Sequence, residues 1–154
     1  MTKIIHKTGD IFTTTARGIG HGVNTEGVMG AGIAKQFKDR FPVMYIMYRA
    51  NCLDKIMSGG DTFVWPIISE TEGSLPLYIY NIASQEAPGP NAQLDWLRTG
   101  VIKAVAHADQ MGLDVIALPR IGSGIGGLDE AEVEAVLTEI AASTPVDIEL
   151  WTFS

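Results

Sequence analysis

Cysteine is nearly missing from this sequence: Cys52 is the only one in 154 residues. A disulfide within the chain is therefore excluded, and so is a cysteine-rich metal site. Cys52 sits in a helix-like stretch, 45–53, where a thiol serves as packing filler. No apolar run approaches the ~20 residues needed to cross a bilayer. The first residues, Met1-Thr2-Lys3-Ile4-Ile5-His6-Lys7, lack the apolar core of a signal peptide. These absences lead to the expectation of a cytoplasmic protein with no membrane association. Positive charge is also scarce. Eleven Lys and Arg stand against 18 Asp and Glu, a formal charge of −7. That argues against tight, sequence-independent nucleic-acid binding, which draws on many basic contacts to phosphate. A phosphate-bearing small molecule stays open, because backbone amides hold phosphate without net protein charge.

What is present is an apolar interior, with 46% hydrophobic residues. Length and composition predict a single domain over 1–154, with a monomer favoured. No repeat or linker divides the chain. β-branched and aromatic runs predict strands at 2–7, 18–23, 62–68, 77–82, 114–119 and 147–153. Helical spacing predicts helices at 31–41, 43–57, 91–111 and 128–142. The apolar run Val115-Ile116-Ala117-Leu118 reads as a strand buried on both faces. Asp129, Glu130 and Glu132 suit the positive end of the last helix. Helices between strands imply a three-layer α/β/α sandwich, with ligands outside the carboxyl ends of the strands.

Two glycine-rich segments occupy that position. The first is Asn24-Thr25-Glu26-Gly27-Val28-Met29-Gly30-Ala31-Gly32-Ile33-Ala34, between a strand and a helix. The second is Arg120-Ile121-Gly122-Ser123-Gly124-Ile125-Gly126-Gly127, between the buried strand and the acidic helix. Glycines there accept φ > 0 and remove side chains that would block a phosphate, while a helix start offers free N–H groups. Two such loops would grip the two phosphates of one diphosphate; two tight structural turns explain the same spacing. Neither loop is a P-loop, and the second lies too late in the chain for a dinucleotide fingerprint.

At this point the chain resembles a known family. Gly9-Asp10-Ile11, Val23-Asn24, Met29-Gly30-Ala31-Gly32-Ile33-Ala34 and Leu118-Pro119-Arg120-Ile121-Gly122-Ser123-Gly124 are similar, in order and spacing, to the signature blocks of macrodomains. The likeness is greatest to the branch containing the terminal ADP-ribose protein glycohydrolase. The resemblance implies a mixed, mostly parallel sheet and ADP-ribose, free or on a mono-ADP-ribosylated protein, as partner. Neither a cofactor nor a metal is implied. It implies that Asp10 accepts from the adenine amino group, with Ile11 beside it, and that Trp151 and Phe153 flank the base. Asn24 would contact the distal ribose. Met29, Gly30, Ala31, Gly32 and Ile33 would hold one side of the diphosphate, and Ile121, Gly122, Ser123, Gly124, Ile125 and Gly126 the other. Each has a structural alternative: Asp10 and Asn24 as turn or cap residues, Trp151 and Phe153 as core.

The chain departs from the branch at its chemistry. A lysine after the fourth strand is replaced by Gln85, and an aspartate in the second loop by Gly126. Gln85 has no nucleophilic amine, so a lysine adduct is excluded. Gln85 is then expected to orient water or an ester carbonyl. Glu86 is a candidate base or a solvated side chain, and Asp129 polarises water or starts a helix. His21 resembles in position a histidine of a phosphatase-like macrodomain acting on ADP-ribose 1″-phosphate; a buried, hydrogen-bonded histidine is the other reading. The expected function is ADP-ribose binding with hydrolysis of the ester joining it to Glu or Asp. A non-catalytic reader and the phosphatase are the alternatives.

Overall fold

The computed structural model describes residues 3–67, 76–122 and 126–153. Six strands form one sheet: β1 (Ile4–Thr8), β2 (Gly18–Val23), β3 (Thr62–Pro66), β4 (Tyr78–Ala83), β5 (Val115–Pro119) and β6 (Asp147–Thr152). The spatial order is β1-β6-β5-β2-β4-β3. All neighbours run parallel except β3, which lies antiparallel on β4 at the edge. Four helices complete the fold: α1 (Gly32–Arg40), α2 (Pro42–Leu53), α3 (Leu94–Gln110) and α4 (Glu130–Ala141). The mixed, mostly parallel α/β/α sandwich expected from the sequence is observed.

Strand alternation divides the interior into two cores. Tyr80, Ile82, Ile116, Leu118, Ile148 and Leu150 face α3 and α4. Ile19, Val23, Ile79 and Ala83 face Phe37 of α1 and Met44, Tyr48 and Cys52 of α2. Consecutive strand side chains point to opposite faces, so a parallel sheet covered twice needs apolar residues at nearly every position. β2 meets this unusually. Its face toward α3 and α4 carries only Gly18, Gly20 and Gly22, and neighbouring side chains close over them. A methyl on Gly20 would lie 2.7 Å from Leu118 Cδ2 and 3.1 Å from the Tyr80 carbonyl oxygen.

Two boundaries differ from expectation for local reasons. The second helix ends at Leu53, before Met57, because Lys55 turns left-handed at φ 57° and the amides of Ile56 and Met57 fold back onto the Asn51 carbonyl. The third begins at Leu94, after Asn91, because the Asn91 side chain is bonded to the backbone of Ala87 and Pro88. Among the described residues no helix is long and apolar enough to cross a membrane.

Candidate functional site

The carboxyl ends of β1, β6, β5, β2 and β4 share one edge of the sheet. β2 and β5 are neighbours, yet the chain after β2 enters α1 on one face and the chain after β5 enters α4 on the other. Such a switch point leaves a crevice. β2 and β5 pair only at Gly18 with Ile116 and Ile19 with Ala117. Beyond these pairs the crevice opens as a cleft of about 520 Å³, within the range of small-molecule sites.

One wall is Asn24, Val28, Gly30, Ala31, Gly32, Ile33 and Ala34; the opposite wall is Pro119, Arg120, Ile121, Gly122 and Gly126. Both glycine loops therefore face one cavity. They are not equivalent. Ala31 caps α1 without a side-chain hydrogen bond, and no acidic residue stands in that helix's first turn. The first amides of α1 are thus open to an anion. At α4 the Asp129 carboxylate already accepts from the Glu132 amide at 3.2 Å, and Glu130 and Glu132 add charge. That helix start is taken by its own residues, and among the described residues the second segment meets the cleft at 119–122 and 126. Asp129 does not line the cleft; it is a helix cap.

Asn24 organises the first loop. Its Oδ1 accepts from the amides of Glu26, Gly27 and Val28 at 3.1, 3.1 and 3.2 Å, and its Nδ2 donates to the Val28 carbonyl at 2.8 Å. It borders the cleft, but its amide is largely committed to holding the turn. Met29 turns inward and is 1% exposed in the core under α1 and α2. As an apolar side chain between exposed Val28 and Gly30, it anchors the loop and does not line the cleft.

The third wall is Ser84, Gln85, Pro88 and Gly89, of which the sequence-based site included only Gln85. It ties the two loops together. Thr25 N donates to the Glu86 carbonyl at 3.2 Å, and Ala92 N donates to the Gly126 carbonyl at 3.2 Å. Gln85 Nε2 donates to the carbonyls of Ala87 at 2.6 Å and Gly89 at 3.1 Å. This orientation commits the NH₂ group and leaves Oε1 as an acceptor. Glu86 is exposed and is not part of the cleft lining. The signal for this wall in the sequence was Gln85; Ser84, Pro88 and Gly89 carry no chemistry that would have marked them.

His21 follows the buried, hydrogen-bonded reading. It is fully buried, its Nε2 donates to Asn81 Oδ1 at 2.6 Å, and its ring stacks on Phe37 with centroids 3.9 Å apart. Burial lowers its pKa to about 4, against a weaker upward pull from the Asn81 hydrogen bond. α1 covers the face of β2 from which His21 projects, so the side chain does not reach the cleft. It has no route to attack or protonate a ligand there.

At the other end of the edge, Gly9 N donates to the Thr152 carbonyl at 2.9 Å, so Gly9-Asp10-Ile11 abuts the end of β6. Asp10 is exposed and its Oδ1 accepts from Phe12 N at 2.9 Å as the cap of a short 3-10 turn, Ile11–Thr13. Ile11 is buried at 4%. Trp151 is 8% exposed, and its Nε1 donates to Glu149 Oε1 at 2.9 Å. Phe153 lies beyond the strand and is 79% exposed. None of these four lines the main cleft: Ile11 and Trp151 pack in the core on the α1–α2 face, and Asp10 and Phe153 are exposed. Ser123, Gly124 and Ile125 lie outside the described residues. Arg120 lines the cleft and reaches the end of β6, donating from Nε to Thr152 Oγ1 at 3.0 Å with Nη1 3.7 Å from Glu134. It is the only charged side chain among the described residues lining the cleft.

The Macro domain family model matches residues 21–137. A DNA ADP-ribosyl glycohydrolase of Thermus aquaticus is 30% identical over 147 residues, 94% of this chain and 39% of that protein. The human ADP-ribose glycohydrolase OARD1 is 24% identical over 98% of this chain and 92% of its own length. The solved macrodomain of Mycobacterium tuberculosis DarG superposes with a TM-score of 0.86 at 29% identity, covering both chains completely. This chain spans about 40% of the length of the DNA ADP-ribosyl glycohydrolases that it matches.

Proposed function

The chain belongs to the Macro domain family, and from that premise we propose that it binds ADP-ribose in the cleft and hydrolyses the bond joining ADP-ribose to a larger molecule. The observation that carries the reading is the pair of glycine loops facing each other across the β2–β5 switch point. The diphosphate would lie between them, with one phosphate on the uncapped start of α1 and the other on the backbone of 120–122. The adenine would lie against exposed Asp10 and Phe153, whose neighbours Ile11 and Trp151 pack beneath in the core. The distal ribose would then reach Asn24 and Gln85.

Hydrolysis consumes one water. Its oxygen bonds the linked carbon of the distal ribose as the bond from that carbon to the attached group breaks. This leaves a hydroxyl on ADP-ribose, with the second proton going to the departing group or to solvent. No carboxylate stands among the described lining residues to act as a strong base. Gln85 Oε1, an acceptor, is suited to orient that water; its committed NH₂ group is not suited to polarise an ester carbonyl. Orientation without a strong base fits an activated linkage, such as an acyl ester to Glu or Asp. A second reading, ADP-ribose on DNA, is favoured by the named activity of the Thermus aquaticus relative. The acidic charge of −7 weakens non-specific DNA affinity but leaves an ADP-ribose handle usable. The ADP-ribose 1″-phosphate reading loses the support of His21, which is sealed in the core.

Calorimetry with ADP-ribose tests binding. Release of ADP-ribose from Glu/Asp-modified protein and from modified DNA, followed in parallel, tests the reaction and its linkage. Gln85→Ala should slow release about 10-fold or more while changing ADP-ribose affinity less than about 3-fold, the pattern of a group acting mainly in the transition state. Binding with no release from any substrate over hours would establish a reader instead.

A further inference from the structure

One face of α2 packs against the first glycine loop. Tyr45, Tyr48, Arg49 and Cys52 are spaced one turn apart along that face. The Tyr48 hydroxyl lies 2.7 Å from the Asn24 carbonyl and 3.1 Å from Asn24 Oδ1. Tyr45 Oη and Arg49 Nη1 both donate to the Gly27 carbonyl, at 3.2 and 3.1 Å. The Cys52 thiol approaches the Asn24 carbonyl at 3.8 Å. Gly27 has φ 88°, and a Cβ there would meet Arg49 Cγ at 3.2 Å and Cys52 Cβ at 3.3 Å. The loop is therefore glycine at this point both for its dihedral and for its fit against α2.

We infer that Tyr48 and Arg49 are positioning residues that hold residues 24–28 in the shape needed to receive the ribose-diphosphate half of the ligand. Neither touches that ligand; they act through Asn24 and Gly27. The loop's amides turn inward onto Asn24 Oδ1, and Asn24 in turn is fixed by Tyr48. Tyr48 is fully buried, and burial raises the pKa of its hydroxyl, which keeps the donor protonated at any working pH. Without the clamp Asn24 is held less firmly, its bonds to the amides of Gly27 and Val28 open more often, and the turn loses its fixed angle to the cleft. The ligand then has to order the loop on binding, which reduces affinity. The inference rests on the ADP-ribose reading for its ligand, not for its structural half.

Tyr48→Phe keeps the ring and removes only the hydroxyl. Two measurements separate the claims. In the ligand-free protein, amide exchange at Gly27 and Val28 should quicken about 10-fold while amides of β4 and β5 stay unchanged; unchanged exchange at Gly27 and Val28 overturns the clamp. In calorimetry, Tyr48→Phe should weaken ADP-ribose about 10-fold and AMP less than about 2-fold, because AMP carries the adenine end without the distal ribose. Equal losses for both ligands would reveal a general structural defect and overturn the positioning role. Arg49→Met, which keeps the stem, should reproduce the pattern more weakly. A parent protein that binds no ADP-ribose yet shows the exchange effect would remove the proposed function and leave the clamp standing.

Discussion

Gly30→Glu should reduce ADP-ribose affinity by more than about 100-fold, equivalent to ~2.7 kcal/mol or more, while the protein stays folded. Gly30 lines the cleft between the loop hub Asn24 and the uncapped start of α1. It is the cleft glycine best suited to this test. Its φ is not left-handed, and a Cβ there would meet only Val28 Cγ1, at 3.6 Å, an ordinary contact. Gly122 and Gly126 are poorer choices. Gly122 has φ 76° and Leu128 at 2.8 Å, and a methyl on Gly126 would lie 2.8 Å from the Gly122 carbonyl oxygen. Changes there would damage the backbone and confuse loss of binding with loss of fold. At Gly30 a glutamate adds volume and a negative charge where the diphosphate should lie, beside amides that favour anions. Thermal denaturation should show the variant within a few degrees of the parent, and calorimetry should show no measurable heat with ADP-ribose. Parent-like affinity in the folded variant would move the diphosphate away from this wall.

The acid side of the stability profile should carry a term of about 3 kcal/mol from His21 alone. Its pKa is lowered from 6.5 to about 4 by burial. Geometry gives the reason. Asn81 Nδ2 donates to the Phe63 carbonyl at 3.1 Å, so Asn81 Oδ1 is the acceptor and His21 Nε2 bears the proton. His21 Nδ1 is buried with no hydrogen-bond partner. Protonating it would place a charged N–H in an apolar layer with no acceptor, against the ring of Phe37. Between pH 6.5 and 4 the unfolded chain binds this proton and the folded chain resists it. The contribution is therefore complete above about pH 6.5 and disappears as pH falls toward 4. Denaturant titrations of the parent and of His21→Gln from pH 7 to 4 isolate the term. The parent should lose about 3 kcal/mol more than the variant over that interval. Parallel pH profiles for the two would show that His21 titrates normally and is not sealed in the core. The same variant bears on chemistry, since a buried neutral histidine predicts little change in ADP-ribose release at pH 7.5.

Part of this protein is local, and the sequence alone determined it. Alternating strands and helices, the buried run at 115–118 and the two glycine loops after β2 and β5 follow from dihedral preference and apolar periodicity, which depend on near neighbours. The acidic start of α4 is local too: Asp129 caps the helix that its own charge favours. So is the identity of Gln85 and Gly126 at the positions where the related branch has lysine and aspartate. The position of these groups relative to a cleft is not local. Strand alternation shows that His21 shares a face with Ile19 and Val23, but only the packing of Phe37, sixteen positions later, decides that this face is sealed. Asn24 reads equally as a ribose contact or a turn residue until Tyr48 and the amides of 26–28 are seen to converge on it. Gln85 has no visible place until the bonds of Glu86 to Thr25 and of Ala92 to Gly126 set segment 84–92 across the gap between the loops. Residues far apart along the chain meet only when the sheet order β5-β2-β4 and the helices on its two faces bring them together. That juxtaposition, set by how layers pack and not by any local preference, turns two glycine turns into one cleft.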